Sequence, residues 1–330
     1  MTERPMTVYV LPVGVSLFDD LLSDSRARLK DAVGEKAPWR SISQKRDDIH
    51  NEKAELKDPR AEADRVSEWL IKETSDQGTA RESLESLLEK IKPEKWPASL
   101  SAELSSLASD RQGKHRLGID TGNDEMVLLI ASDTGKGLRA ALFNALAMTG
   151  GDLDRVDYLP DAETPLQIAP GRVAIIRLSG LDAQDHDRFL TAMRELSGFG
   201  PHFKKLLAHE KSTCRFHLTG GFRVAMPFLM AFAEALRSLY PGQVSAHARY
   251  EFSTIERSIE LPLSSPRSDD LEGKLDGFQK DGYLKGELPE EGVWAGFAYE
   301  KVPDTVHGRW RLTPFGMALR ELIPGIKQEL

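Results

Sequence analysis

A hydroxyl, two adjacent glycines and an arginine stand together at Thr219, Gly220, Gly221 and Arg223, with Phe222 between them. Glycines let a ligand come close to main-chain N–H groups, and a guanidinium offers a planar, permanently charged fork suited to phosphate. Two further polar clusters have a similar character: Gly14-Val15-Ser16, and Ser132-Asp133-Thr134. The chemistry such residues support is retention of an anion by main-chain and hydroxyl donors. Each cluster taken alone is equally well a plain turn, and Ser16 serves as readily as a helix N-cap as it does as a ligand contact.

All three clusters follow runs that read as strands. Met6 to Val13 and Met126 to Ser132 are nearly continuous apolar stretches, which suits parallel strands covered on both faces. Thr213 to Leu218 is a third, and apolar residues then recur with helical period over Leu138 to Met148 and Val224 to Tyr240. Arg172 to Leu178 reads as a strand and Asp185 to Leu196 as a helix. Val244 to Phe252 and Ser258 to Leu263 read as an edge hairpin. The expected fold is α/β, a Rossmann-like, mostly parallel sheet with helices on both faces and the Met6 strand at its centre. Parallel strands bring the three clusters to one carboxyl edge, where open α/β sheets bind ligands. Two commoner phosphate motifs are excluded. The loop at Gly135-Lys136-Gly137 has Ile130 where a Walker loop needs glycine and no Ser or Thr after its lysine, and neither Gly14 nor Gly135 opens a dinucleotide fingerprint.

The 330 residues carry a formal charge of −8 and 40% hydrophobic content, enough for a sizeable core and against a broad basic surface for duplex nucleic acid. The single cysteine, Cys214, cannot form an intrachain disulfide or a metal cluster, and it reads as a buried thiol. No metal site is expected. No apolar run approaches the roughly 18 residues of a membrane span and no signal-peptide pattern is present, which places the protein in the cytoplasm with no membrane partner. From about residue 23 to 120 charged residues dominate. Glu62 to Glu73 and Thr79 to Ile91 have helical spacing, giving a helical insertion after the first strand whose charge is expected to be mostly a solvated face. Residues 264–330 form a second region after a Ser-Pro linker: a helix over Asp270 to Phe278, strands at Trp294 to Val302 and Arg309 to Leu312, and a last helix opened by Thr313-Pro314-Phe315-Gly316. That order is similar to a winged-helix module.

The set Val13-Gly14-Val15-Ser16-Leu17, Ser132-Asp133-Thr134, His217-Leu218-Thr219-Gly220-Gly221-Phe222-Arg223 and Tyr250-Glu251-Phe252 to Leu261-Pro262-Leu263 resembles the CARF family, the CRISPR-associated Rossmann-fold sensors. It is most similar to the branch with a helical insertion, which includes ring nucleases, and the resemblance covers roughly residues 6 to 263. The family commonly has Thr where Val15 stands, and Asn and Lys where His217 and Arg223 stand.

The resemblance implies a domain over residues 1–263 that binds cyclic oligoadenylate, the second messenger of type III CRISPR antiviral defence, with no cofactor. The implied ligand contacts are Gly14, Val15, Ser16, Ser132, Asp133, Thr134, Thr219, Gly220, Gly221, Phe222 and Arg223. A ring such as cyclic tetraadenylate can itself have twofold symmetry, so a homodimer is expected. Two functions follow. As a ring nuclease, the protein opens the ring by attack of a ribose 2′-hydroxyl on its own phosphate, with Ser16 orienting the attack and Arg223 steadying the charge, a reaction that needs no metal in principle. As a sensor, it holds the ring intact and relays binding to a protein or DNA partner through the insertion or the C-terminal module.

Overall fold

The computed structural model describes residues 5–14, 59–74, 85, 88–89, 93, 96, 98, 101–110, 118–119, 124–181, 186–221, 223–249, 258–264, 273–279, 281–284, 294–296, 298–302, 309–313, 316–317 and 319–320. Seven strands form one sheet: β1 Thr7–Pro12, β2 Glu125–Ala131, β3 Val156–Leu159, β4 Val173–Arg177, β5 Thr213–His217, β6 Val244–Ala248 and β7 Ile259–Leu261, in the order β3-β4-β2-β1-β5-β6-β7. The first six are parallel, and β7 runs antiparallel to β6 at one edge, as the hairpin pattern predicts. β1 lies in the middle, paired with β2 on one side and β5 on the other. The fold is therefore α/β and Rossmann-like. No strand is expected from sequence at β3, whose four residues carry Asp157 in their midst and pair with β4.

Among the described residues, helices flank the sheet at α1 Pro59–Thr74, α2 Ala102–Asp110, α3 Gly135–Thr149, α4 His186–Gly198, α5 Gly200–Leu207 and α6 Met226–Leu239. Alternation along the strands divides the core in two. Tyr9, Leu11, Val13, Val127, Leu129, Ala131, Val173 and Ile175 meet α1, α2 and α3 on one face. Val8, Val10, Leu128, Ile130, Ile176, Cys214 and Phe216 meet α4, α5 and α6 on the other. Burying each such side chain contributes roughly 1.5–3 kcal/mol. Cys214 is fully buried, and burial pushes its thiol pKa up, so it behaves as a core residue.

Local chemistry sets the helix ends. Pro59 opens α1, a position where its missing N–H has no bond to lose. Thr134 caps α3, accepting from the Gly137 N–H at 3.0 Å, and left-handed Gly150 closes it through an N–H to the Leu146 carbonyl. Helix α6 begins later than the sequence suggests. A 3₁₀ turn over Arg223–Ala225 intervenes between Gly221 and Met226, and no side chain caps the helix.

In the C-terminal region, β8 Tyr299–Lys301 and β9 Trp310–Leu312 pair antiparallel, inside the two strand ranges expected there. The bridges Phe278↔Leu284 and Tyr283↔Arg311 tie the preceding segment to them. Thr313 Oγ1 accepts from the Gly316 N–H at 3.0 Å, which is the helix start expected at that position. Leu275, Phe278, Tyr299 and Leu312 belong to the same apolar cluster as the α4–α6 face of the sheet.

Candidate functional site

The crossovers through α1–α3 cover one face of the sheet and those through α4–α6 the other, and the change occurs beside β1 and β5. The crevice at their carboxyl ends is thus the switch point of the fold. Two glycine turns meet there. A Cβ on Gly14 would lie 3.1 Å from the Gly221 nitrogen, and Gly221 has φ +94°, where a side chain would lie 2.6 Å from Pro12 Cβ and 2.8 Å from its carbonyl carbon. Only glycine fits this close approach.

Helix α2 supplies the third wall. Ser101 accepts from the Leu104 N–H at 3.0 Å and donates to Asn144 Oδ1 at 2.7 Å, capping α2 and tying it to α3. This puts Glu103 in the crevice: its Oε1 accepts from the Gly14 N–H at 2.7 Å, and a Cβ on Gly220 would run into the same carboxylate. Glu103 is 1% exposed. The slot between the glycine turns therefore already holds a carboxyl oxygen, contributed by the chain itself.

Below the crevice, β5 and β6 turn a polar stripe toward α2. The register pairs Tyr9 with Arg215, Arg215 with Ser245 and His217 with His247. Asp110 Oδ2 accepts from Arg215 Nη1 at 2.8 Å and lies 3.5 Å from His217 Nε2. On the other side of that ring, His217 Nδ1 and Ser106 Oγ are 2.8 Å apart, and Ser106 Oγ is 3.0 Å from Thr219 Oγ1. Thr219 Oγ1 also accepts from the Arg249 N–H at 2.8 Å. Burial alone would raise the pKa of Asp110. The neighbouring side chains of His217 and Arg215 outweigh it and hold the carboxyl well below the usual carboxylate range. Burial lowers the pKa of His247, whose ring stacks on His217 with centroids 5.5 Å apart. The order Asp110, His217, Ser106 is that of a nucleophilic triad, but Ser106 is fully buried, so no substrate carbonyl can reach its Oγ and the arrangement does not support acyl transfer.

The residues expected at the site divide into groups. Gly14, Gly220, Gly221 and Thr219 come together at the crevice. Arg223 stands exposed on the 3₁₀ turn, with no hydrogen bond or ion pair to another described residue. Val15, Ser16 and Phe222 lie outside the described residues. Ser132, Asp133 and Thr134 reach the carboxyl edge but are turned to internal work. Thr134 caps α3, and Ser132 Oγ lies 3.0 Å from Thr134 Oγ1. Asp133 is fully buried and accepts from Arg177 Nε at 2.7 Å and the Gly180 N–H at 2.8 Å, with Arg188 at 3.4 Å. Asp133 thereby joins the loops after β2 and β4.

Glu103, Ser106 and Asp110 are the functional candidates that sequence reasoning missed. They recur at i, i+3 and i+7 on α2, and Leu104, Leu107 and Ala108 recur beside them. That double stripe is visible in the sequence. Taken as a solvated face, the polar stripe is misassigned, because it faces a second polar stripe on β5 rather than water. No protein-family model and no curated protein matches this chain.

Proposed function

We propose that the switch-point crevice binds the phosphodiester backbone of a cyclic oligoadenylate, with cyclic tetraadenylate as the ring of choice, and that the protein opens it as a metal-independent ring nuclease. The observation that carries this reading is the Glu103 carboxylate oxygen on the Gly14 N–H at 2.7 Å, in a slot lined by glycines. It is a place where main chain already donates to a carboxyl oxygen, beside the hydroxyl of Thr219 and next to the exposed cation of Arg223. In the reaction the ribose 2′-oxygen bonds to phosphorus and the bond to the 5′-oxygen breaks. The products are a 2′,3′-cyclic phosphate and a 5′-hydroxyl that has taken up a proton. Arg223 stabilises the pentavalent charge and Ser16 orients the attack. Arginine in the role keeps charge at every working pH and offers a fork in place of a point.

Glu103 also favours a second reading, a non-catalytic sensor. A phosphate that reaches the Gly14 N–H must displace this carboxyl group, since the one N–H hydrogen already has its acceptor. Glu103 lies in the first turn of α2, so its displacement is transmitted to the helix. On this reading the ring stays intact. A homodimer carries the two half-sites that a twofold ring needs, and the C-terminal region, winged-helix-like in its order of elements, passes the change to a protein or DNA partner.

Incubation of the purified protein with labelled cyclic oligoadenylates of different ring size, followed by chromatography, tests both. Linear product supports the nuclease, tight binding of an intact ring supports the sensor, and no binding of any ring overturns both. Arg223→Ala is expected to leave stability within about 0.5 kcal/mol of wild type, since the side chain is exposed. It should weaken ring binding and slow single-turnover cleavage by about 100- to 1000-fold. Ser16→Ala should slow cleavage while sparing affinity.

A further inference from the structure

Four polar groups run in line from the interior to the lip of the crevice: the Asp110 carboxylate, the His217 imidazole, the Ser106 hydroxyl and the Thr219 hydroxyl. Ser106 and His217 are buried, at 0% and 1% exposure, while Asp110 is partly buried and Thr219 is partly exposed beside Gly220 and Gly221. His217 Nε2 has no hydrogen-bond partner at normal distance among the described residues, so the Asp110 carboxylate is the polar group it faces. We propose that Asp110, His217 and Ser106 are positioning residues that set the direction of the Thr219 hydroxyl hydrogen. The lip of the glycine turn then presents a donor to a bound phosphate when His217 is charged, and none when it is neutral. The inference rests on the nucleotide-binding reading for its ligand, while the relay itself is a property of the free protein.

Hydrogen counting gives the two states, because each hydroxyl has one hydrogen and two lone pairs. A neutral His217 keeps its hydrogen on Nε2, since a bare nitrogen there would set its lone pair against the Asp110 carboxylate. Nδ1 is then an acceptor. Ser106 donates to Nδ1 and accepts from Thr219, whose hydrogen points inward while its oxygen accepts from the Arg249 N–H at 2.8 Å. A charged His217 donates from both nitrogens. Ser106 must accept from Nδ1 and turn its own hydrogen to Thr219. The Thr219 oxygen, accepting from Ser106 and from Arg249, has both lone pairs in use, and its hydrogen is directed into the crevice. His217 Nδ1, the Ser106 hydroxyl and the Thr219 oxygen keep their partners in both states, so the relay can pass between them without stranding any of these groups.

The charged groups around His217 act in both directions. Asp110 on α2 favours the imidazolium. Arg215 on β5 bonds to the same carboxylate oxygen and opposes it, as does any proton on His247 of β6, stacked at 5.5 Å. Tyr9 of β1 faces the ring at 5.8 Å, the Arg249 guanidinium is held by the Ser105 carbonyl at 2.8 Å, and Glu260 of β7 pairs with His247 in the register.

The test uses the full chain. Nitrogen-15 NMR of the histidine side chains, over about pH 5 to 8, reads which nitrogen of His217 carries hydrogen. Thr219→Val removes the acceptor that Ser106 needs only in the charged state, so the His217 midpoint is expected to fall by about half to one pH unit. Thr219→Ser keeps the acceptor and should restore it. An unmoved midpoint in Thr219→Val, or a His217 that holds one protonation state throughout, overturns the relay whatever the protein binds. With labelled cyclic tetraadenylate as the probe, wild-type affinity is expected to rise about tenfold as pH falls through the His217 midpoint, and Thr219→Val should flatten that profile. A profile the same in wild type and Thr219→Val overturns the proposed effect on the ligand. A wild type that binds no ring at any pH removes the nucleotide reading and leaves the midpoint shift to decide the relay.

Discussion

Strands β4, β2 and β1 and strands β5 and β6 present the same kind of surface to helices α4–α6 and opposite kinds to helices α1–α3. On the α4–α6 side both halves are apolar: Val8, Leu128 and Ile176 in one, Cys214, Phe216 and Ala246 in the other. On the α1–α3 side the first half turns Leu11, Leu129 and Ile175 toward α3. The second half turns Arg215, His217, Ser245 and His247 toward Ser106 and Asp110 of α2. Apolar surfaces gain from any close packing, so the first half is a scaffold tolerant of detail. Buried polar surfaces gain only when each group finds its partner, so the second half specifies the position of α2, and with it Glu103 and the Thr219 lip.

Four measurements sharpen or break that contrast. The largest effect belongs to Asp133, which binds the first half's loops through Arg177 and the Gly180 N–H. Asp133→Ala leaves the buried Arg177 guanidinium with the half-exposed Asp64 at 2.6 Å as its ion-pair partner among the described residues, strips the acceptor from the Gly180 N–H, and should cost about 3–5 kcal/mol in urea unfolding. Leu129→Ala, a cavity in the doubly covered half, is expected to cost about 2–5 kcal/mol. A cost below about 1 kcal/mol for either would mean that the scaffold half is not the stable one.

Asp110→Asn is expected to cost about 1–3 kcal/mol at neutral pH, less than the first two because its partner Arg215 is partly exposed. It should also remove an acid arm of the stability profile. The folded carboxyl titrates below its unfolded value, so its stabilisation is present above about pH 4 and is lost as pH falls toward the folded pKa. His247 is likewise depressed, by burial, so the unfolded chain takes up that proton first and stability should begin to decline below about pH 6.5. Urea midpoints between pH 7 and 3 read both arms, and an Asp110→Asn profile that keeps the lower one would assign it elsewhere. The smallest effect is Ser245→Ala, which removes one hydrogen bond to His247 at 2.9 Å in a half-buried position and should cost under about 1 kcal/mol.

Much of the scaffold was legible in the sequence because its signal is local. Met126 to Ala131 and Val173 to Ile176 are continuous apolar runs inside the two expected strands, and the strands found are Glu125–Ala131 and Val173–Arg177. The Leu138 to Met148 pattern is the core of α3, and the edge hairpin was read from two alternating segments. β3 was not legible, since four residues interrupted by Asp157 become a strand only through the neighbouring β4. Around the site the glycines were legible, because a turn after a strand needs them whatever the ligand.

The roles of the polar residues were not local in this sense. Ser132, Asp133 and Thr134 stand at the expected edge, yet Asp133 is taken by Arg177, 44 positions away along the chain. Glu103 and Asp110 look like solvent-facing charges in a segment rich in them, and only the seating of α2 against β1 and β5 makes one the acceptor for the Gly14 N–H and sets the other beside His217. The sequence by itself determined the parallel sheet, its central strand and the glycine turns at its carboxyl edge, because strand period, apolar continuity and turn chemistry act between near neighbours. The tertiary structure alone decided which charges are buried and what they face, because a polar side chain carries no sign of its partner until two distant segments are brought together.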